Sequence, residues 1–251
     1  MEEKEVKKNR FGLLGRNITY SFSRGYFTQK FEELGLGDHS YENFDIQDIS
    51  EFGSVLSQEN LKGLNVTIPY KEAVLPHLAE LDEQAREIGA VNTIKMTRNG
   101  PKGYNTDAHG FQKSMEGLVQ PHHRKALILG TGGASKAVRY ILQRMGIEPT
   151  YVSRSKEAGR FTYGELDRDI MEDHLLIVNC TPLGTFPNLE EKPPIPYQFI
   201  GERHLLFDLI YNPDKTAFLA HGEARGARIG NGLGMLKWQA EKAWEIWNAH
   251  Q

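Results

Sequence analysis

The sequence predicts an α/β fold of two lobes. Apolar strand-like runs alternate with helical stretches in both halves, which argues for parallel βαβ units. A glycine-rich turn sits between an apolar strand and a helix in the second half. The length of 251 residues, at roughly 150 per domain, leaves room for one large or two small domains.

Composition narrows the class. Hydrophobic residues at 39% and charged residues at 25% are those of a globular protein, which excludes wholesale disorder and a fibrous architecture. A formal charge of −3 lacks the global basicity that grips nucleic acid. Cys180 is the only cysteine, so no intramolecular disulfide forms. The uncharged run 175–189 is broken by Asn179, Pro182, Gly184 and Pro187 and is too short and polar to span a bilayer. The charged opening Met1-Glu2-Glu3-Lys4-Glu5 has no apolar core after it, so a cytoplasmic location without a signal peptide is expected.

In chain order, residues 2–10 are mostly charged and expected to fray. Residues 11–15 read as a buried strand, and 22–34 as a helix turning Phe27, Phe31 and Leu34 inward. Residues 41–46 and 64–68 read as strands, the second stopped by Pro69. Residues 72–88 read as a helix broken at Pro76. Residues 90–96 read as a strand before an Asn99-Gly100 turn. The apolar run 125–129 is a strand, and a helix extends from the glycine-rich turn to Met145. Further strands are expected at 149–152, 175–179 and 205–210. The tail from Leu233 is a helix carrying Trp238, Trp244 and Trp247, expected to pack back on a lobe.

The turn is Gly130-Thr131-Gly132-Gly133-Ala134-Ser135. Glycines there let the chain turn tightly and bring its backbone against a pyrophosphate, which the following helix N-terminus attracts. The bland reading is a tight turn that binds nothing. In its strand–turn–helix setting, the motif points to a Rossmann-like dinucleotide-binding domain. The next strand runs out into Ser153-Arg154-Ser155, where an NAD enzyme keeps an acid for the ribose hydroxyl. A cation flanked by hydroxyls suits a 2′-phosphate, so the chemistry favours NADP over NAD; a solvated basic loop is the bland reading.

Oxidising an alcohol requires a group for the hydroxyl proton. Lys71, after Pro69-Tyr70, and Asp107, in Gly103-Tyr-Asn-Thr-Asp107, are candidates. Taken singly, Lys71 also reads as a surface lysine and Asp107 as a helix cap. Four blocks join them: Gly63-Leu-Asn-Val-Thr-Ile-Pro-Tyr-Lys71, Gly89-Ala-Val-Asn-Thr93, the Asp107 block, and Asn231-Gly-Leu-Gly-Met-Leu-Lys-Trp-Gln239. In composition and order they resemble the signature blocks of the shikimate dehydrogenase family, over nearly the whole chain after residue 10.

The resemblance implies reversible NADP-dependent reduction of 3-dehydroshikimate to shikimate, on the route to chorismate and the aromatic amino acids. It implies a substrate-binding catalytic domain over 1–105 with 231–251, and an NADP-binding domain over 106–230. Lys71 matches the family's catalytic lysine and Asp107 its acidic partner. Ser21 and Ser23 match the pair that holds the substrate carboxylate; alone, they also read as a helix-capping loop. Asn65, Thr67, Asn92 and Gln239 match residues that hydrogen-bond the ring hydroxyls, and Tyr211 a tyrosine at the substrate edge. A polar site of this kind suits a triol carboxylate and rejects analogues that leave its groups unpaired. On the cofactor side, Ser153, Arg154 and Ser155 match an Asn-Arg-Thr clasp. Thr181 lies in a loop that passes the cofactor, and Leu209 and Gly232 line its nicotinamide end. Cys180 is then a small buried residue, and no metal is expected.

The chain departs from the family in three places. Tyr20 and Arg24 flank the serines where relatives show His-Ser-x-Ser-Pro. The clasp has lost its amide, and Ala158 stands where relatives often carry a second cation, with Lys156 and Arg160 close by. The alternatives are a quinate/shikimate dehydrogenase using NAD or both cofactors, and a non-catalytic NADP-binding sensor. The expected partner is a small-molecule substrate, with neither nucleic acid nor membrane, for a monomer or homodimer.

Overall fold

The computed structural model describes residues 9–18 and 21–249. Tyr20 and residues 1–8 of the charged opening lie outside the described residues. The chain forms two compact units: residues up to Thr106 with those from Ala240 onward, and Asp107–Gln239.

The first unit is built on a six-stranded mixed sheet. Its elements are β1 (Asn9–Gly15), α1 (Phe22–Glu33), β2 (His39–Asp45), α2 (Phe52–Leu56), β3 (Leu61–Val66), α3 (Tyr70–Ala73), β4 (Glu80–Leu81), α4 (Glu83–Ile88), β5 (Thr93–Thr97) and β6 (Gly100–Tyr104). The strand order is β2-β1-β3-β5-β6-β4. β1 pairs in parallel with β2 and β3, whereas β5 is antiparallel to β3 and β6. One face packs Leu14, Phe52, Leu64, Val74 and Ile94. The other packs Phe11, Phe27, Phe31 and Tyr41 with Ala240, Ala243 and Trp247.

Three expectations change here. Asn9 and Arg10 do not fray but open β1, and Arg10 pairs with Glu42 at 2.7 Å. Leu34 is 53% exposed, not inward. The helix stops at Glu33, and the Gly35 and Leu36 N–H groups bond back to the carbonyls of Glu32 and Phe31, so Leu36 rather than Leu34 returns to the core. Residues 72–88 are not one helix with a kink. Pro76 sits in a single 3₁₀ turn, Leu78 is extended, β4 joins the sheet beside β6, and Asp82 caps a fresh helix, α4.

The second unit is a doubly wound parallel sheet. α5 (Thr106–Met115) leads into β7 (Lys125–Leu129), α6 (Gly133–Arg144), β8 (Glu148–Ser153), β9 (Arg160–Thr162), α7 (Arg168–Asp173), β10 (Leu176–Asn179), β11 (Leu205–Asp208), α8 (Ala217–Glu223), β12 (Arg228–Gly230) and α9 (Leu233–Asn248). The order is β12-β11-β10-β7-β8-β9, every pair parallel. This is the Rossmann arrangement, whose order reverses at β7 and so opens a crevice at the strand carboxyl ends. Leu127, Leu129, Val152, Ile177, Leu206 and Phe218 form its core. The unit boundary divides α9 at Ala240, so 233–239 belong to the second unit. Beyond that boundary, the Trp247 indole N–H donates to the Ile94 carbonyl at 3.0 Å.

Candidate active site

The mixed pairing of the first sheet gathers candidates at one edge. β1 and β3 end there, and Asn65 pairs across with Thr93, where the antiparallel β5 begins. Thr93 in turn pairs with Tyr104, where β6 ends. Thr67, Asn92 and the residues after Tyr104 therefore emerge together. The Thr67 N–H donates to the Leu14 carbonyl at 2.9 Å, and the Val66 N–H to the Asn92 carbonyl at 2.8 Å.

Ser21 caps α1, its hydroxyl oxygen accepting from the Arg24 N–H at 3.2 Å. That bond uses an oxygen lone pair and leaves the hydroxyl hydrogen to donate. Ser23, two residues on, is buried. The Tyr41 hydroxyl donates to Asn65 Oδ1 at 2.7 Å. Asn92 Nδ2 donates to Thr106 Oγ1 at 3.0 Å, and the Thr106 N–H donates to Asn92 Oδ1 at 2.6 Å. Asn65 and Asn92 thus share one buried polar network, joined by Thr93 and Thr106, with Tyr41 bonded to Asn65. Thr93 and Thr106 lie inside two of the quoted blocks, whereas Tyr41 lies in none of them.

Lys71 lies in α3, directly after a fixed point. Tyr70 is buried, donates to the Ile46 carbonyl at 2.8 Å and accepts from Arg16 Nε at 3.3 Å. The Val91 N–H holds the Lys71 carbonyl at 2.8 Å, and the Lys71 side chain is half-buried.

In the second unit, Gly130 takes φ +96°, and a Cβ there would lie 3.0 Å from Thr181 Cγ2. Glycine is required on both counts. Gly132 caps α6 with no side chain, and no acid occupies the first turn of this twelve-residue helix. The Ser135 N–H bonds the Gly132 carbonyl at 2.9 Å, and the Gly133 and Ala134 N–H groups with the positive helix end fit an anionic phosphate. Ser135 is fully buried and turns its hydroxyl back onto the Gly132 carbonyl at 2.7 Å, so it shapes the turn from within. Thr131, Gly133 and Ala134 complete the bare loop.

The loop after β8 holds two cations, Arg154 and Lys156, and Arg160 opens β9. Lys156 pairs with Glu165, and Arg160 with Glu157 at 2.6 Å. Exposed Arg154 makes no ion pair among the described residues. Ser153 Oγ donates to the Ser155 carbonyl and closes the loop around it.

Asp208, at the end of β11, organises the neighbouring loops. It is fully buried and accepts from Asn179 Nδ2 at 3.0 Å, the Ile210 N–H at 3.1 Å and Thr216 Oγ1 at 2.6 Å. Asn179 Oδ1 in turn accepts from both the N–H and the hydroxyl of Thr181. Burial raises the Asp208 carboxyl to about 6 against these three bonds. The Gly232 N–H donates to the Ile210 carbonyl at 3.0 Å, and a Cβ on Gly232 would lie 2.0 Å from the Leu209 carbonyl oxygen. Thr181, Leu209 and Gly232 therefore hang from one carboxylate that sequence motifs did not single out. Burial pushes the Cys180 thiol up, as suits a packed residue rather than a nucleophile. Tyr211 follows half-buried. Gln239 is buried and donates through Nε2 to the Leu236 carbonyl at 2.9 Å. Asp107 is buried in the first turn of α5. The described residues contain no acidic, histidine or cysteine cluster able to hold a metal, and no helix long and apolar enough to cross a membrane.

Residues 13–94 match the family model of the shikimate dehydrogenase substrate binding domain. A shikimate dehydrogenase (NADP(+)) of Desulforamulus reducens is 35% identical over 94% of this chain and 88% of its own. The shikimate dehydrogenase structure from Aquifex aeolicus superposes with a TM-score of 0.85 at 32% identity, covering 96% of this chain and 92% of that one. The structure from Thermus thermophilus, in complex with NADP(H) and shikimate, gives 0.83 at 32% identity over 95% and 93%.

Proposed function

The chain belongs to the shikimate dehydrogenase family, and from that premise we propose that it reversibly reduces 3-dehydroshikimate to shikimate with NADP as cofactor. The observation that carries this reading is the likeness to NADP-dependent relatives over 94% or more of the chain, well beyond residues 13–94.

When bound, the nicotinamide dinucleotide supplies or accepts the hydride. The backbone of 130–135 holds its pyrophosphate, and Ser153, Arg154 and Ser155 hold the 2′-phosphate. Thr181, Leu209 and Gly232 flank the nicotinamide end. Ser21 and Ser23 donate to the substrate carboxylate. Asn65, Thr67, Asn92 and Gln239 hydrogen-bond its hydroxyls, and Tyr211 closes its edge. Lys71 takes the proton of the hydroxyl being oxidised and returns it on reduction, with Asp107 as its acidic partner. The enzyme acts on a small molecule in the cytoplasm.

The test is growth of NADPH absorbance on mixing the protein with shikimate and NADP. Steady turnover is expected. Cofactor binding with no turnover would support the sensor alternative instead.

A further inference from the structure

Two of the cations that follow β8 are already paired. Arg160 meets Glu157 at 2.6 Å, and Lys156 meets Glu165. Glu165 is anchored to the backbone. It ends the 3₁₀ turn Tyr163–Glu165 and closes a capping box with Thr162. Its Oε2 accepts from the Thr162 N–H at 2.8 Å and from the Thr162 hydroxyl at 3.0 Å. Thr162 is the ladder partner of Ser153, the first residue of the proposed clasp. Strand pairing therefore sets this carboxylate beside the end of β8, and its other oxygen, Oε1, takes the Lys156 amine.

The Lys156 side chain is 75% exposed, against 35% for Glu165. A lysine of this kind is a compact charge on a flexible stem, able to turn toward any anion in reach. Its partner in this loop is a carboxylate that the chain itself holds still. Lys156 first, and Thr162 after it, hold that carboxyl down at about 2, so it keeps its charge at neutral pH. A phosphate entering the loop must compete with Glu165 for the amine. Arg154, two residues before Lys156, makes no ion pair among the described residues.

We propose that Glu165 sets how strongly this chain prefers NADP to NAD: it withholds Lys156 from the 2′-phosphate and leaves Arg154 as the cation that the loop offers. The inference rests on the proposed reading of Ser153, Arg154 and Ser155 as the clasp for that phosphate. Glu165 is a specificity-determining residue that acts through Lys156.

The experiment measures dissociation constants of adenosine 5′-monophosphate and adenosine 2′,5′-bisphosphate by titration calorimetry on the full chain. Their ratio isolates the 2′-phosphate. Glu165→Gln keeps an oxygen for Thr162, since a capping box takes Glu or Gln, and removes the charge. The expected result is a preference for the bisphosphate raised about fivefold, the scale of one exposed charge-assisted bond, with the monophosphate bound as before. Lys156→Ala alone leaves the preference within about twofold of wild type, because its amine is spent on Glu165. In the double variant the gain disappears, because the lysine that produced it is gone. An unchanged preference in Glu165→Gln overturns the inference. So does a gain that persists in the double variant, which marks plain repulsion by the carboxylate. A loss beyond about twofold in Lys156→Ala alone overturns it too, since the amine would then already serve the phosphate. Weaker binding of both nucleotides by Glu165→Gln, with a lowered melting temperature, marks a structural role for the turn and also overturns it. Arg154→Ala checks the underlying reading separately: bisphosphate binding that ignores Arg154 strikes the proposed clasp rather than the role of Glu165.

Discussion

Lys71, Arg154 and Asp208 illustrate three ways in which neighbours set a side chain's chemistry. Lys71 follows an anchored tyrosine and is half-buried, and in the proposed function it transfers the proton. Lys71→Ala is expected to lower kcat by about a thousandfold, within the range of general acid–base catalysis, while dinucleotide affinity by fluorescence titration stays within about twofold. Arg154 is the loop cation outside an ion pair among the described residues. Arg154→Ala should raise the KM for NADP about tenfold and leave that for NAD nearly unchanged, as initial rates with each cofactor will show. Asp208 is a stability prediction. Its folded carboxyl is raised to about 6 from an ordinary 3.8, so the folded state holds the proton more tightly than the unfolded chain. Stability from this group therefore falls as pH rises from about 4 to 6, and the full cost, roughly 3 kcal/mol, persists above 6. Chemical denaturation across that window should show the slope in the wild-type protein and its loss in Asp208→Asn. Ser23, Asn65 and Lys71 were legible in the sequence because they sit in short motifs that resemble those of the family. Tyr41 and Asp208 were not, because no motif marks either, and the bonds of Tyr41 to Asn65 and of Asn179 to Asp208 join strands far apart in the chain.

At the scale of elements, legibility followed burial. The run 125–129 reads as a strand because a parallel strand covered on both faces is apolar throughout. β6, with two glycines and a proline in Gly100–Tyr104, carries no strand signal and forms because β5 supplies its antiparallel partner. β4 is two residues long and is recruited by β6. The phosphate turn offers a discriminating pair of substitutions. Gly130→Ala forces an alanine into φ +96° against Thr181 and should cost roughly 1–2 kcal/mol of stability by urea denaturation. Gly132 has φ −74°, and a Cβ there meets nothing within 4 Å. Gly132→Ala should leave the urea midpoint unchanged yet raise the KM for NADP about tenfold, because the added methyl stands where the backbone meets pyrophosphate. A turn that binds nothing would show no effect on KM.

At the scale of the molecule, two α/β units were readable from the alternation of strands and helices, whereas the strand order was not. Register and crossover depend on pairings between distant segments such as Leu129 with Val152 and Asn179. The net charge of −3 likewise says little, since Glu165 and Glu157 pair with Lys156 and Arg160, and the local placement of Arg154 bears on which nucleotide fits. The central claim is that this chain oxidises shikimate with NADP. Its most direct test is kcat/KM measured for shikimate and quinate, each with NADP and NAD. The account predicts the largest value for shikimate with NADP, and a larger value for quinate with NAD would contradict it.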